Sequence, residues 1–176
     1  DLRAARWSLR RVCGILPNPM EKLDLAMHKA AVLTEALPYI QDFCGSTVLV
    51  KVGGSVMESD ANLVSLLADI AFMDAVGMRV VLVHGGGKAI SRALRESGHE
   101  ATFVDGLRVT DEPTMEIVRR TLNNVVNADL VRRLQAFKTN ARPLHGNWMF
   151  TAEKITTPDC GFVGEPVAVD TRAALE

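Results

Sequence analysis

Two stretches of the chain, VLVKVGGSVMES (Val48–Ser59) and VVLVHGGGKAIS (Val80–Ser91), each run a short β-branched apolar segment straight into glycines. Such segments are too short and too β-branched for helices, so TVLVKV and MRVVLV read as buried strands. Helical spacing follows both. Leu63, Leu66 (or Leu67), Ile70 and Met73 mark a helix over Asp60 to Val76 with Gly77 as its C-cap, and a shorter one over Gly87 to Ser97 is closed by Gly98. Strand, helix, strand, helix is the rhythm of a parallel sheet with right-handed crossovers. The expected fold class is α/β: a three-layer α-β-α sandwich around a mainly parallel sheet.

The rest of the chain is compatible with that frame. A helix is expected from Met20 to Phe43, with Leu23, Met27, Ala30 (or Ala31), Thr34 and Leu37 on one stripe and Pro38 kinking or ending its first part. In ATFVDGLRVT a glycine, Gly106, between short β-rich runs suggests a hairpin or an irregular loop, taken as a hairpin lid near residues 100–110. Thr110 or Asp111 should cap a further helix that carries Pro113 in its first turn and continues to about Phe137. From Ala141 onward short strand-like pieces alternate with turns, and TRAALE is a fresh helical start. Residues 1–19 carry four arginines against one aspartate and end in Pro-Asn-Pro, which reads as a basic, disordered extension.

Composition excludes several partners. With 20 basic and 21 acidic residues the chain has no net field for nucleic acid, and no apolar run approaches a membrane span. Its three cysteines are scattered without a CxxC pair, as expected of reduced thiols in a cytoplasmic protein. No His, Cys, Asp or Glu set has metal-ligand spacing, so no metal ligands are expected.

Glycines after strands sometimes serve only to make tight turns. Two such turns, each at a strand's carboxyl end and each before a helix, also suit anions, because ligands of parallel sheets bind at that rim and bare backbone N–H groups can approach them. Neither standard phosphate motif is present: Leu82 and Ala89 break a Walker A loop, and Ile90 breaks the dinucleotide fingerprint. Lys51, just before Gly53 and Gly54, is either a solvated edge residue or a charge aimed into a site. Arg108 is either a surface arginine of the hairpin or a fork for a carboxylate. His84 is either a core histidine bonded to backbone, the favoured reading, or a site residue, and Lys88, Arg92 and Arg95 read as a solvated helix face.

Taken in order, LVKVGGSVM, VVLVHGGGKAIS, FVDGLRVTDEPTMEIV and DCGFVGEPVAVD resemble the N-terminal lobe of the amino acid kinase family, most narrowly its acetylglutamate kinases. KAAVLTEALPYIQDF is similar to the helix that joins subunits in the arginine-inhibited members. The resemblance implies transfer of the γ-phosphoryl group of MgATP to the γ-carboxylate of N-acetyl-L-glutamate, in arginine biosynthesis. It implies Lys51 as the catalytic cation, Gly53 and Gly54 against the nucleotide phosphates, Gly86 and Gly87 against the acceptor, and Arg108 on the acceptor's α-carboxylate. ATP and Mg2+ (carried by the nucleotide) are the implied cofactors, L-arginine an implied feedback inhibitor, and a homo-oligomer built through the helix of residues 20–45 the implied assembly. Residues 46–176 then correspond to the acceptor-binding lobe, with no counterpart of the nucleotide-binding lobe. Another member of the family, with a different acceptor, and a non-catalytic binding or oligomerisation remnant are the alternatives.

Overall fold

The computed structural model describes residues 18–172, so the expectations for the basic extension and for the helical start at TRAALE fall wholly or largely outside the described residues. Two compact units, residues 1–43 and 44–176, are described separately.

Among the described residues the first unit contributes one helix, α1 (Pro19–Phe43). Its start is written in three residues. Asn18 accepts the Met20 N–H at 3.2 Å, Glu21 reaches back to the Asn18 N–H at 3.1 Å, and Pro19 occupies the first helical position, where its missing donor costs nothing. Pro38 does not end the helix: α1 continues through it to Phe43. Apolar side chains are exposed on the predicted stripe (Leu23, Met27, Leu37) and off it (Leu25, Val32, Leu33).

The second unit begins with strand β1 (Thr47–Val52), helix α2 (Gly54–Glu58), helix α3 (Asp60–Ala75) and strand β2 (Arg79–His84). β1 and β2 are parallel and in register, with Thr47 opposite Arg79 and Val52 opposite His84. Ser59 caps α3 by accepting the Asn62 N–H at 3.4 Å. Helix α4 (Gly87–Glu96) follows, then the hairpin β3 (Phe103–Val104) and β4 (Leu107–Arg108). Asp105 and Gly106 both have positive φ, the geometry that joins two twisted strands through two residues.

Asp111 accepts the Thr114 N–H at 2.9 Å and so caps α5 (Glu112–Arg120), as the sequence suggested. This helix runs through a π-helical segment, Thr121–Asn127, into α6 (Ala128–Ala136). A 3-10 turn at Gly146–Trp148 precedes the antiparallel pair β5 (Phe150–Lys154) and β6 (Gly164–Val169). Gly161 docks this region by a parallel bridge to Thr110, so closely that a Cβ on Gly161 would lie 2.2 Å from the Thr110 carbonyl oxygen.

The core lies between α3, α6 and one sheet face. Leu63, Leu67, Ile70, Leu130 and Leu134 are buried there, with Val50, Val80 and Leu82 packed against them. Each such side chain contributes about 1.5–3 kcal/mol by leaving water. The α/β reading holds, but the strands are not buried on both faces. Alternation along β1 turns Leu49 and Lys51 outward, and with Val83 they form a face that is exposed among the described residues.

Candidate functional site

The parallel register sets the site. Because Val52 stands opposite His84, the chain leaves both strands at one level, and Gly53–Gly54 and Gly85–Gly87 form neighbouring turns at one rim. Gly54 opens α2, Gly86 caps α4, and Ile90 donates to the Gly86 carbonyl at 2.8 Å. Lys51 is exposed one residue before the end of β1.

The two turns differ in their surroundings. A Cβ on Gly53, Gly54, Gly85 or Gly87 would meet nothing within 4 Å. Gly86 is buried, and a Cβ there would lie 2.5 Å from Leu122 Cδ2 and 3.7 Å from Val126 Cγ2. The π-helical segment therefore presses on the second turn. His84, read correctly as bonded to backbone, is half-buried with Nδ1 3.0 Å from the Gly85 carbonyl. Its Nε2 is 3.2 Å from Asn127 Nδ2, a partner the sequence reading missed.

Arg108 reaches the same rim from β4. Its Nη2 donates to the Gly87 carbonyl at 3.3 Å and to Ser91 Oγ at 3.1 Å, while the guanidinium lies over the Phe103 ring at 4.6 Å. Phe103 and Arg108 are cross-strand partners, so the hairpin itself supplies this stacking. Nη1 is buried with no hydrogen-bond partner. Burial pushes the guanidinium pKa down from its usual value, the direction expected of a charge removed from water before a partner arrives.

A cavity of about 680 Å³ opens beside the turns, lined by Gly54, Glu58, Gly86, Gly87, Lys88 and Arg92, and by Asn124 and Val125 of the π-helical segment. Lys51, Gly53 and Arg108 are not in its lining. The structure thus brings Gly54, Gly86 and Gly87 together around one space, places Arg108 on Gly87 from outside it, and leaves Lys51 exposed on the neighbouring strand. Lys88, Arg92 and Arg95 are exposed, as expected of a solvated face, and the first two have a further role. Both line the cavity, and the Lys88 ammonium pairs with the Glu58 carboxylate, linking α4 to α2.

The sequence model of the amino acid kinase family matches residues 46–176. The chain belongs to the amino acid kinase family. Among curated relatives, the acetylglutamate kinase of Synechocystis sp. is 47% identical over 150 residues, covering 84% of this chain and 50% of that protein. The acetylglutamate kinase of Symbiobacterium thermophilum is 43% identical over 156 residues, covering 83% and 53%. The chain spans about half the length of the curated relatives it matches. Among solved structures, the N-acetylglutamate synthase of Neisseria gonorrhoeae, complexed with coenzyme A and N-acetyl-glutamate, superposes with a TM-score of 0.60 at 29% identity, covering 82% of this chain and 34% of that one. The same synthase complexed with coenzyme A and L-arginine gives 0.59 at 27%, over 82% and 36%. The amino acid kinase fold thus accounts for the strand, glycine turn, helix repeat that opens the second unit.

Proposed function

We propose that this chain is the acceptor-binding half of an acetylglutamate kinase, the enzyme that transfers the γ-phosphoryl group of ATP to the γ-carboxylate of N-acetyl-L-glutamate in arginine biosynthesis. The observation that carries the reading is Arg108. One arm of its guanidinium is fixed on Gly87 and the other is buried and unpaired at the edge of two glycine turns. A carboxylate is the ligand that would satisfy it. The names and identities of the curated relatives support the same acceptor.

The chemistry needs few protein groups. The nucleophile is a carboxylate that is already ionised, so no general base is required. The obstacle is repulsion between two anions, and cations with fixed backbone donors lower it. In this reading Lys51 neutralises charge on the transferring phosphoryl group, and Gly53 and Gly54 let backbone N–H groups approach the nucleotide phosphates. Gly86 and Gly87 do the same for the acceptor, and Arg108 holds its α-carboxylate. Mg2+ is assigned to the nucleotide that carries it.

Two further parts of the reading concern assembly and setting. Exposed Leu23, Met27 and Leu37 on α1 suit self-association of the helix into a homo-oligomer, a dimer or hexamer. L-Arginine is proposed as a feedback ligand, on the similarity of α1 to the helix of arginine-inhibited members and on the complex of the N. gonorrhoeae synthase. No helix among the described residues is long and apolar enough to cross a membrane, and the cytoplasm is the proposed location.

Thermal unfolding with N-acetyl-L-glutamate tests the reading. A ligand at about 100 times its Kd stabilises by about 2.7 kcal/mol, a rise of roughly 5–10 °C for a chain of this size. The rise should vanish in Arg108→Ala. No rise at saturation, or the same rise in Arg108→Ala, overturns it. A rise with aspartate or carbamate instead would move the chain to another branch of the family.

A further inference from the structure

His84 and Asn127 stand between the π-helical segment and the second glycine turn. A carbonyl only accepts, so the 3.0 Å contact of His84 Nδ1 with the Gly85 oxygen requires the ring proton on Nδ1. In the neutral ring Nε2 is then an acceptor, and it faces the Asn127 amide nitrogen at 3.2 Å. The Asn127 Oδ1 is buried with no partner, so the orientation of this amide is set by His84 alone.

The local helix geometry explains how one segment reaches the turn twice. In an α-helix, residues five apart point about 140° away from each other. Closure from i to i+5 brings them toward one side. Within Thr121–Asn127 this lets Leu122 press on Gly86 while Asn127, five residues on, meets His84.

We infer that Asn127 and His84 are positioning residues for acceptor binding: Asn127 fixes the His84 ring, His84 holds the Gly85 carbonyl, and the planar Gly85–Gly86 peptide thereby aims the Gly86 N–H. The inference rests on the reading of Gly86 as an acceptor contact. Its claim is that the orientation of one backbone donor is set by a side-chain pair that itself touches no ligand.

The test uses two conservative variants with opposite consequences. An asparagine at position 84 places its amide nitrogen near the Nδ1 position and keeps the hold on Gly85. A glutamine reaches the Nε2 position, meets Asn127 and loses Gly85. Nitrogen-15 NMR of the intact chain should show the wild-type His84 ring protonated at Nδ1. His84→Asn should leave the Gly86 amide resonance near its wild-type place and retain N-acetyl-L-glutamate affinity within about threefold, whereas His84→Gln should shift that resonance and weaken binding about tenfold or more. Asn127→Leu should release the ring from its single tautomer and move the Gly86 amide. A merely structural pair predicts equal losses in the two His84 variants. That result, or a wild-type ring protonated at Nε2, overturns the inference. Should N-acetyl-L-glutamate fail to bind the wild type, the acceptor reading falls. The positioning claim is then judged by the ring tautomer and the Gly86 resonance alone.

Discussion

The turns after β1 and β2 share a sequence pattern and a rim, but they are held by different forces. The second is braced by packing and directed hydrogen bonds: Leu122 and Val126 lie against Gly86, and His84 links Gly85 to Asn127. The first faces open space, and the helices after it are tied across by charge. Glu58 of α2 pairs with Lys88, and Asp60 of α3 receives Arg133 Nη1 at 2.7 Å. A motif therefore specifies where the backbone turns, while its neighbours decide how firmly. Two turns braced to such different degrees can be written in nearly the same letters.

The contrast breaks most sharply by substitution. Gly86→Val forces branched methyls onto Leu122, Val126 and Ile90 and should cost about 1–3 kcal/mol in denaturant unfolding. Gly54→Ala adds a methyl to free space at the start of a helix, so it should be neutral or stabilise by about 0.5 kcal/mol. Equal losses would mean that the turns are equally braced.

Acid should act on the charged ties next. Burial opposes the charge of Asp129, but hydrogen bonds from Arg133 and Arg132 outweigh it and hold its carboxyl below the usual range. A folded pKa below the unfolded value, about 3.9, means that this stability is present above that pH. It is lost as pH falls through the folded value. Asp129→Asn should flatten that loss by under about 1 kcal/mol, since the pair is partly exposed. An unchanged acid limb would remove Asp129 from the ties.

The smallest effect is expected at Glu58→Gln. The ion pair with Lys88 is exposed, so global stability should change by under about 0.5 kcal/mol. Amide exchange at Gly54–Met57 should nonetheless quicken, and salt should reproduce the effect in the wild type. Exchange unaffected by either would show that α2 is held by something other than this pair.

How much of this was legible in the sequence follows from range. The strands, α3, α4 and the Asp111 cap depend on residues a few positions apart, and periodicity found them. Arg108 was legible as a candidate, but its grip on Gly87 and Ser91 spans more than fifteen residues and left no local trace. The π-helical segment was hidden because Val118, Leu122 and Val125 keep an ordinary helical spacing there. Asn127 carried no signal of its own; only the fold sets it beside His84. The open face of β1 was missed because an apolar run looks the same with one face covered or two.

The contact between Gly161 and Thr110 reaches further than its size suggests. Thr110 donates its N–H to Cys160 at 2.8 Å, accepts from Phe162 at 2.7 Å, and turns its hydroxyl back to the Arg108 carbonyl at 2.8 Å. A methyl group added at Gly161 would push the Thr110 backbone and swing the guanidinium two residues away, detuning the rim from outside it. Position 161 is in that sense a remote handle on Arg108, reached through one backbone contact with Thr110 and the peptide bonds from Thr110 to Arg108.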